Sequence, residues 1–222
     1  MDCPFVDLHT HRPEASGLRV LNLPRVIASQ DFASPPRLEQ PQPWYSYGIH
    51  PWWAHEAENE WLLLEQLLQN HQLAFIGETG IDKNHPHLDR QIEALERQIT
   101  WSETYQKPLV LHSVKGTGEL LQLHKKPRPT QAWVIHGFNG TVEEARQLTE
   151  KGFYLSVGDS ILYENRKITK SILSIPLDHL FFETDETPIE VRAVYEKAAE
   201  LTGVPLEVLK EQIFVNFTHI MH

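Results

Sequence analysis

Residues 109–113 read Leu109-Val110-Leu111-His112-Ser113, an apolar run of three residues that ends in a histidine. The run does not alternate between apolar and polar residues, which is typical of a strand buried on both faces of a parallel sheet. Further short apolar stretches along the chain also predict strands. They are residues 4–9, 19–23, 45–50, 74–78, 133–136, 153–157 and 180–183. The sequence therefore predicts about eight parallel strands.

Amphipathic stretches separate most of these strands. One of them repeats apolar residues at spacings of four, three and four, the period of a helix face: Leu88, Ile92, Leu95 and Ile99. Thr141 and Glu144 have the spacing of a capping box, which predicts the start of another helix. A later helix is expected to end at Gly203.

The alternation is interrupted near the start of the chain. Residues 26–43 have little periodicity and several prolines, and the link between the first two strands is too short for a crossover helix. We therefore predict a (β/α)8 TIM-like barrel whose first crossover helices are shortened or missing, with residues 1–222 forming a single domain. An open doubly wound sheet is the alternative, but no glycine-rich phosphate loop follows the first strand.

The composition excludes several classes of protein. The 222 residues include 30 acidic and 20 basic ones, and the formal net charge of -10 argues against non-specific coating of nucleic acid. Cys3 is the single cysteine, so no intramolecular disulfide can form, and we expect a reducing, cytoplasmic compartment. The sequence has no run of about 18 apolar residues, so we expect no contact with a membrane.

Potential metal ligands stand at the carboxyl ends of the predicted strands, where the reactive groups of such barrels lie. Alternate residues of a strand share a face, so His9 and His11 can bind one ion. Imidazole and carboxylate groups without thiolates suit zinc, manganese, iron and similar divalent ions. Six candidates exceed the needs of one catalytic ion, and they suit two ions about 3.5 to 4 Å apart that share a carboxylate. The six are His9, His11, Glu78, His112, His136 and Asp185.

In their order along the chain, the strand-end motifs resemble those of the TatD-type metal-dependent hydrolases (the TatD DNase family), a branch of the amidohydrolase-like barrels. The motifs are Asp7-Leu8-His9-Thr10-His11, Gly48-Ile49-His50-Pro51, Gly77-Glu78-Thr79-Gly80-Ile81-Asp82, Leu109-Val110-Leu111-His112, His136-Gly137-Phe138-Asn139-Gly140 and Glu183-Thr184-Asp185. The resemblance implies a (β/α)8 fold, two divalent metal ions (Zn, Mn, Mg or similar), and hydrolysis of phosphodiesters, notably DNA from the 3′ end.

The resemblance also implies a role for each candidate ligand. His9, His11 and Asp185 would hold the first ion. His112 and His136 would hold the second, and Glu78 would bridge the two.

We therefore expect a phosphodiesterase or deoxyribonuclease that uses a metal-activated water, with Asp185 as the catalytic general base. His50 and Lys115 are candidate substrate-binding residues that donate to phosphate. The expected substrate is a small-molecule or nucleic-acid phosphodiester, including single-stranded DNA 3′ ends. Two alternatives stay open: a metal-dependent amide, ester or lactone hydrolase with the same site, and a catalytically silent metal-binding protein.

Overall fold

The structure is a computed structural model that describes residues 3–14, 16–25, 44–125 and 129–221. Eight strands and seven α-helices follow one another along these residues. The strands are β1 Val6–Thr10, β2 Leu18–Asn22, β3 Trp44–Tyr47, β4 Phe75–Asp82, β5 Leu109–Val114, β6 Trp133–Ile135, β7 Tyr154–Val157 and β8 Leu180–Phe182. The helices are α1 Glu58–Gln69, α2 Leu88–Tyr105, α3 Thr117–Leu123, α4 Val142–Thr149, α5 Ile168–Ser171, α6 Val191–Thr202 and α7 Leu206–Ile220. This is the element order of the predicted (β/α)8 barrel.

The described residues divide into two compact units, one within residues 1–20 and 133–222 and one within residues 21–132. In the first unit β7 pairs in parallel with both β6 and β8, and Val157 lies opposite Phe182. A parallel bridge between Thr10 and Asp185 joins the end of β1 to the residues after β8. Every residue of β1 and β8 is buried, as expected for strands covered on both faces.

In the second unit β4 pairs in parallel with both β3 and β5. The strand β4 extends four residues beyond the predicted end at Glu78, and all eight of its residues are buried. Glycine and acidic residues have low strand propensity, so the sequence pattern places the end of the strand too early. Pairing with β5 carries the strand on, because Gly80 lies opposite His112 and Asp82 opposite Val114.

The prediction of missing first crossover helices is confirmed between β1 and β2. Residues 11–14, 16 and 17 contain no helix, and the Leu18 amide donates to the Phe5 carbonyl. The second irregular stretch, residues 26–43, lies outside the described residues.

Two helix ends predicted from the sequence are confirmed. Thr141 and Glu144 form a capping box at the start of α4, with the Thr141 hydroxyl accepting from the Glu144 amide at 3.2 Å. The helix α6 ends at Gly203, which has a left-handed φ of 71° that glycine adopts without strain. Within the described ranges, none of the helices combines the length and the apolar character needed to cross a bilayer.

Candidate metal centre

In the first unit, two histidines and an aspartate form a group that could hold an ion. His9 Nε2 lies 3.6 Å and His11 Nε2 3.5 Å from Asp185 Oδ1. One ligand atom from each of these residues lies within 4.8 Å of the others. His9 lies in β1 and His11 directly follows the strand, so the two-residue spacing places both rings beside the Asp185 carboxylate.

The backbone of Asp185 holds its carboxylate at the end of β1. The Asp185 amide donates to the His9 carbonyl at 2.9 Å, and the Asp185 carbonyl accepts from the His11 amide at 3.0 Å. Asp185 has a left-handed φ of 52°, a conformation that aspartate and asparagine adopt more readily than most residues. Its side chain is 42% exposed whereas His9 is fully buried, so the carboxylate lies where solvent reaches the group.

Asp7 anchors the strand that carries the two histidines. Its carboxylate is buried and accepts from the Thr184 amide at 3.0 Å and the Thr184 hydroxyl at 2.7 Å. Burial raises the pKa of Asp7 to about 7, although both hydrogen bonds from Thr184 act in the opposite direction. Asp7 is therefore a buried hydrogen-bond acceptor that ties β1 to the chain after β8.

His136 lies beside a buried carboxylate in the same unit. Its Nδ1 atom is 3.7 Å from Glu183 Oε1, and its ring centroid is 4.6 Å from that of His9. Glu183 is fully buried and also accepts from the Gly137 amide. Burial opposes ionisation of Glu183, but the neighbouring imidazoles of His136 and His9 outweigh it and lower the pKa. The carboxylate of Glu183 therefore lies beside Nδ1 of His136, where it can orient the ring.

In the second unit, Glu78 lies between two histidines. Its Oε2 atom is 3.6 Å from His50 Nε2 and 3.7 Å from His112 Nδ1, and these three residues form a second group within ligand distance of one ion. Asn22 donates to the other oxygen of Glu78 at 3.3 Å. The structure therefore adds His50, expected to contact phosphate, to the neighbours of Glu78 and His112.

The protonation of His50 follows from its local turn. His50 Nδ1 accepts from the Trp52 amide at 3.2 Å at the start of the short 3-10 turn Pro51–Trp53. An imidazole that accepts at Nδ1 carries its proton on Nε2, the atom that faces Glu78. In this form Nε2 of His50 is a hydrogen-bond donor, and binding of an ion at that atom would require loss of its proton.

Asp82 is a neighbour of the candidate ligands that sequence reasoning missed, although it closes one of the quoted motifs. Its Oδ2 atom lies 3.2 Å from His112 Nε2 and accepts from the Trp52 indole at 2.7 Å, while Oδ1 accepts from the Asn84 amide at 2.9 Å. Burial opposes ionisation of Asp82, but these hydrogen bonds outweigh it and lower the pKa. A carboxylate on Nε2 leaves Nδ1 of His112 as the ligand atom, the usual carboxylate–histidine–metal arrangement.

Two buried glutamines of α2 hold these strand ends. Gln91 accepts from the Asp82 amide at 2.8 Å and donates to the Asp82 carbonyl at 3.1 Å. Gln98 accepts from the Ile49 amide at 2.8 Å and donates to the Thr79 hydroxyl at 2.6 Å. Their spacing of seven residues, two helical turns, was the only sequence signal for them.

Lys115, the second expected phosphate contact, follows β5 and is exposed. Its ammonium group donates to Asn84 Oδ1 at 2.8 Å. Because this partner is a neutral amide, the charge of Lys115 is not neutralised by it.

The donor chemistry of both groups fits a divalent cation. Each group offers imidazole nitrogens and a carboxylate oxygen, the set preferred by zinc, manganese and similar ions. The second group also contains a histidine, His112, whose ring lies next to a further carboxylate, that of Asp82, as metal-binding histidines usually do. His136, with Glu183 beside it, belongs to neither group.

Replacing Asp82 by asparagine should lower the affinity for metal about 10- to 100-fold. The side-chain amide can accept at only one of its two terminal atoms, whereas the carboxylate accepts at both. His112 would therefore lose the ionised partner that fixes the orientation of its ring. Metal titration against a chromogenic chelator measures the change. Trp52→Phe removes the other donor to the same oxygen and should change the affinity far less; equal effects of the two substitutions would refute the orienting role of Asp82.

The fold and these two groups define a class: parallel barrels that present histidines and carboxylates at their strand ends. The crystal structure of YjjV, a TatD homologue from Escherichia coli, superposes with a TM-score of 0.82 at 23% identity, covering 99% of this chain and 98% of that one. The chain therefore has the predicted (β/α)8 TIM-like barrel fold.

The sequence model of the TatD related DNase family matches residues 37–222, and the chain belongs to that family. A Haemophilus influenzae protein described as an uncharacterized metal-dependent hydrolase is 31% identical over 66% of this chain and 60% of its own length. YjjV, described in the same words, is 28% identical over 95% of this chain and 92% of its own length. Deoxyribonuclease Tat-D of Schizosaccharomyces pombe is 27% identical over 75% of this chain and 59% of its own length. The chain thus spans less than two thirds of two of these relatives.

Proposed function

We propose that the protein is a metal-dependent phosphodiesterase, and specifically a deoxyribonuclease, with residues 1–222 acting as one hydrolase domain. The observation that carries the proposal is the pair of imidazole–carboxylate groups in a chain of the TatD related DNase family. The family model matches residues from both compact units, which supports a single functional domain. The name of the Schizosaccharomyces pombe relative supports DNA as the substrate.

The proposed cofactors are two divalent ions, such as Zn²⁺, Mn²⁺ or Mg²⁺. One would be held by His9, His11 and Asp185, and the other by His112 and His136, with Glu78 shared. Bound divalent ions activate water and polarise phosphoryl oxygens. Two such ions would bring four positive charges, which offset the four carboxylates of Glu78, Asp185, Asp82 and Glu183 that would otherwise repel phosphate.

Within this site, Asp185 would act on the attacking water. Its carboxylate is partly exposed and is held in place by backbone hydrogen bonds on both sides of the residue. A carboxylate held in this way can orient a water molecule and accept its proton at Oδ1 or Oδ2. His9 and His11 lie beside Oδ1 and limit its movement.

Two further side chains would contact the phosphate. His50 carries its proton on Nε2, and this N–H group can donate a hydrogen bond to a phosphoryl oxygen. Lys115 supplies a positive charge on the loop after β5. Hydrogen bonds and charge of this kind stabilise the phosphoryl oxygens as negative charge develops on them.

The different roles of His50 and His136 give a test of the ligand assignment. His136→Gln should reduce the bound metal by about one equivalent, because an assigned ligand is lost. His50→Gln should leave the metal content unchanged and raise KM for a phosphodiester. Elemental analysis of each purified variant measures the metal, and a reversed result would make His50 the ligand in place of His136.

The proposed activity is tested with purified protein supplied with Mn²⁺, Mg²⁺ or Zn²⁺. The substrates are a chromogenic phosphodiester, single-stranded DNA labelled at either end, and simple esters, amides and lactones. Turnover of the phosphodiester and shortening of DNA from the 3′ end are expected. Turnover of esters, amides or lactones without phosphodiester cleavage would refute the proposal, and so would full metal binding without turnover of any substrate.

A further inference from the structure

A cavity of about 310 Å³ lies in the second unit, away from the residues assigned to metal. Arg90, Glu93 and Arg97 line it from one face of α2, since they are three and four residues apart. His55 and Trp61 line it from the turn after β3 and from α1. This volume is at the lower end of the range for small-ligand sites and suits a single nucleotide unit.

Arg97 is the strongest anion-binding group of this cavity. Its guanidinium lies 4.2 Å from the ring centre of Trp61 and 4.5 Å from that of Trp101, so two indoles hold it in place. Over the residues that the structure describes, no carboxylate pairs with Arg97. The N–H groups of a guanidinium form a rigid fork that matches phosphate.

The remaining charges of the cavity leave it positive. Arg90 pairs with Glu93 at 2.8 Å, but both side chains are more than half exposed, and such pairs are weak and easily exchanged. The two arginines outnumber the one glutamate on the wall. A positive wall is notable in a chain with more acidic than basic residues.

Two separate pairs of stacked aromatic rings occur in this unit, one that includes a residue of the cavity wall and one that includes a neighbour of the metal-binding group. His55, on the cavity wall, stacks on His87 with ring centres 4.6 Å apart. Two residues earlier, His85 stacks on Trp52 at 4.4 Å, and Trp52 donates to Asp82, the partner of His112. Positive groups interleaved with aromatic rings are the pattern of surfaces that bind single-stranded nucleic acid.

We propose that this cavity is a phosphate-binding subsite for the single-stranded DNA substrate. Arg97, supported by Arg90, would bind a backbone phosphate some nucleotides away from the bond that is cleaved. The inference rests on the proposed function, because it assigns the strand as the occupant. A free nucleotide carries the same phosphate group as the strand. The experiment below distinguishes these two possible occupants of the cavity.

The test measures binding of a fluorescent single-stranded oligothymidylate of about 12 nucleotides. The protein carries Asp185→Asn to slow hydrolysis, and fluorescence anisotropy gives Kd over a range of salt concentrations. Adding Arg97→Gln should weaken binding about fivefold and reduce the slope of log K against log salt by about 0.7, the loss of one phosphate contact. Adding Glu93→Gln should instead strengthen binding about twofold, because it removes the acid that competes for Arg90.

Arg192→Gln is the matched control, since it removes one exposed arginine that pairs with a glutamate on α6. If it weakens binding as much as Arg97→Gln, the effect is general charge and the subsite is refuted. Thymidine 5′-monophosphate that competes as well as the oligonucleotide would also refute a strand-binding role. Should Arg97→Gln melt at a lower temperature than the parent protein, Arg90→Gln provides the same comparison, and unchanged binding would overturn the proposal.

A separate experiment tests the active site with a small chromogenic phosphodiester. It uses protein that keeps Asp185, with and without Arg97→Gln. Arg97→Gln should lower kcat/KM for the oligonucleotide more than for this small substrate. Equal losses would contradict the subsite. Failure of the unchanged protein to cleave the small substrate would refute the proposed function, whereas the binding comparison would still report on the cavity.

Discussion

Asp185→Asn should lower kcat for phosphodiester hydrolysis by at least about two orders of magnitude, the usual effect of losing a general base. The amide keeps the shape of the side chain but cannot take a proton from water, and it is also a weaker ligand for the ion assigned to His9, His11 and Asp185. The backbone should tolerate the change, because asparagine adopts the left-handed conformation of this position readily. The thermal midpoint should therefore stay close to that of the unchanged protein.

The loss of activity should come from a lower kcat and not from unfolding of the variant. Three measurements distinguish these two causes. Steady-state kinetics gives kcat and KM, thermal unfolding gives the midpoint, and the dependence of rate on pH reports the proton transfer. Asp178→Asn, at an exposed aspartate that pairs with His179, is the control and should retain full activity. Near-normal kcat in the Asp185 variant would rule out its assigned role.

Glu78→Gln should reduce both metal content and turnover, the latter by at least about 100-fold. Glu78 is buried between His50 and His112, and its other oxygen accepts from Asn22. A neutral amide in this position offers an ion a weaker ligand and no negative charge. The bound metal should therefore fall by at least one equivalent, as measured by elemental analysis of the purified protein.

The control for this substitution is Glu58→Gln, at an exposed glutamate in the first turn of α1. It removes the same charge and should leave the metal content and turnover unchanged. Folding is checked by circular dichroism, because Glu78 lies on the fully buried strand β4. Two equivalents of tightly bound metal in a folded Glu78→Gln protein would contradict its assignment as the shared ligand.

Much of the barrel could be predicted because its signals are local. An apolar run without alternation, such as Leu109-Val110-Leu111, is enough to indicate a buried parallel strand, and the residue after it lies at the strand end. The capping box at Thr141 and the stop at Gly203 are equally local. The end of β4 was placed too early, because pairing with β5 outweighs the low strand propensity of its last residues.

The residues that support the site show where such reasoning stops. Gln91 and Gln98 read as polar positions of an amphipathic helix, yet both are buried because they bind strand-end backbone groups. Asp82 contacts His112 across 30 residues of sequence, and Asp7 contacts Thr184 across 177. No periodicity within a short window reports a hydrogen bond between distant segments.

The sequence by itself determined the order of the strands and which of them end in histidines and carboxylates, because strand burial and residue type follow from neighbouring residues. Only the tertiary structure decided what those side chains face. It put Asp82 on one nitrogen of His112, Glu183 beside His136, and the Trp52 amide on Nδ1 of His50. The proton position of a histidine depends on the atoms that surround its ring, and folding brings those atoms together from separate parts of the chain.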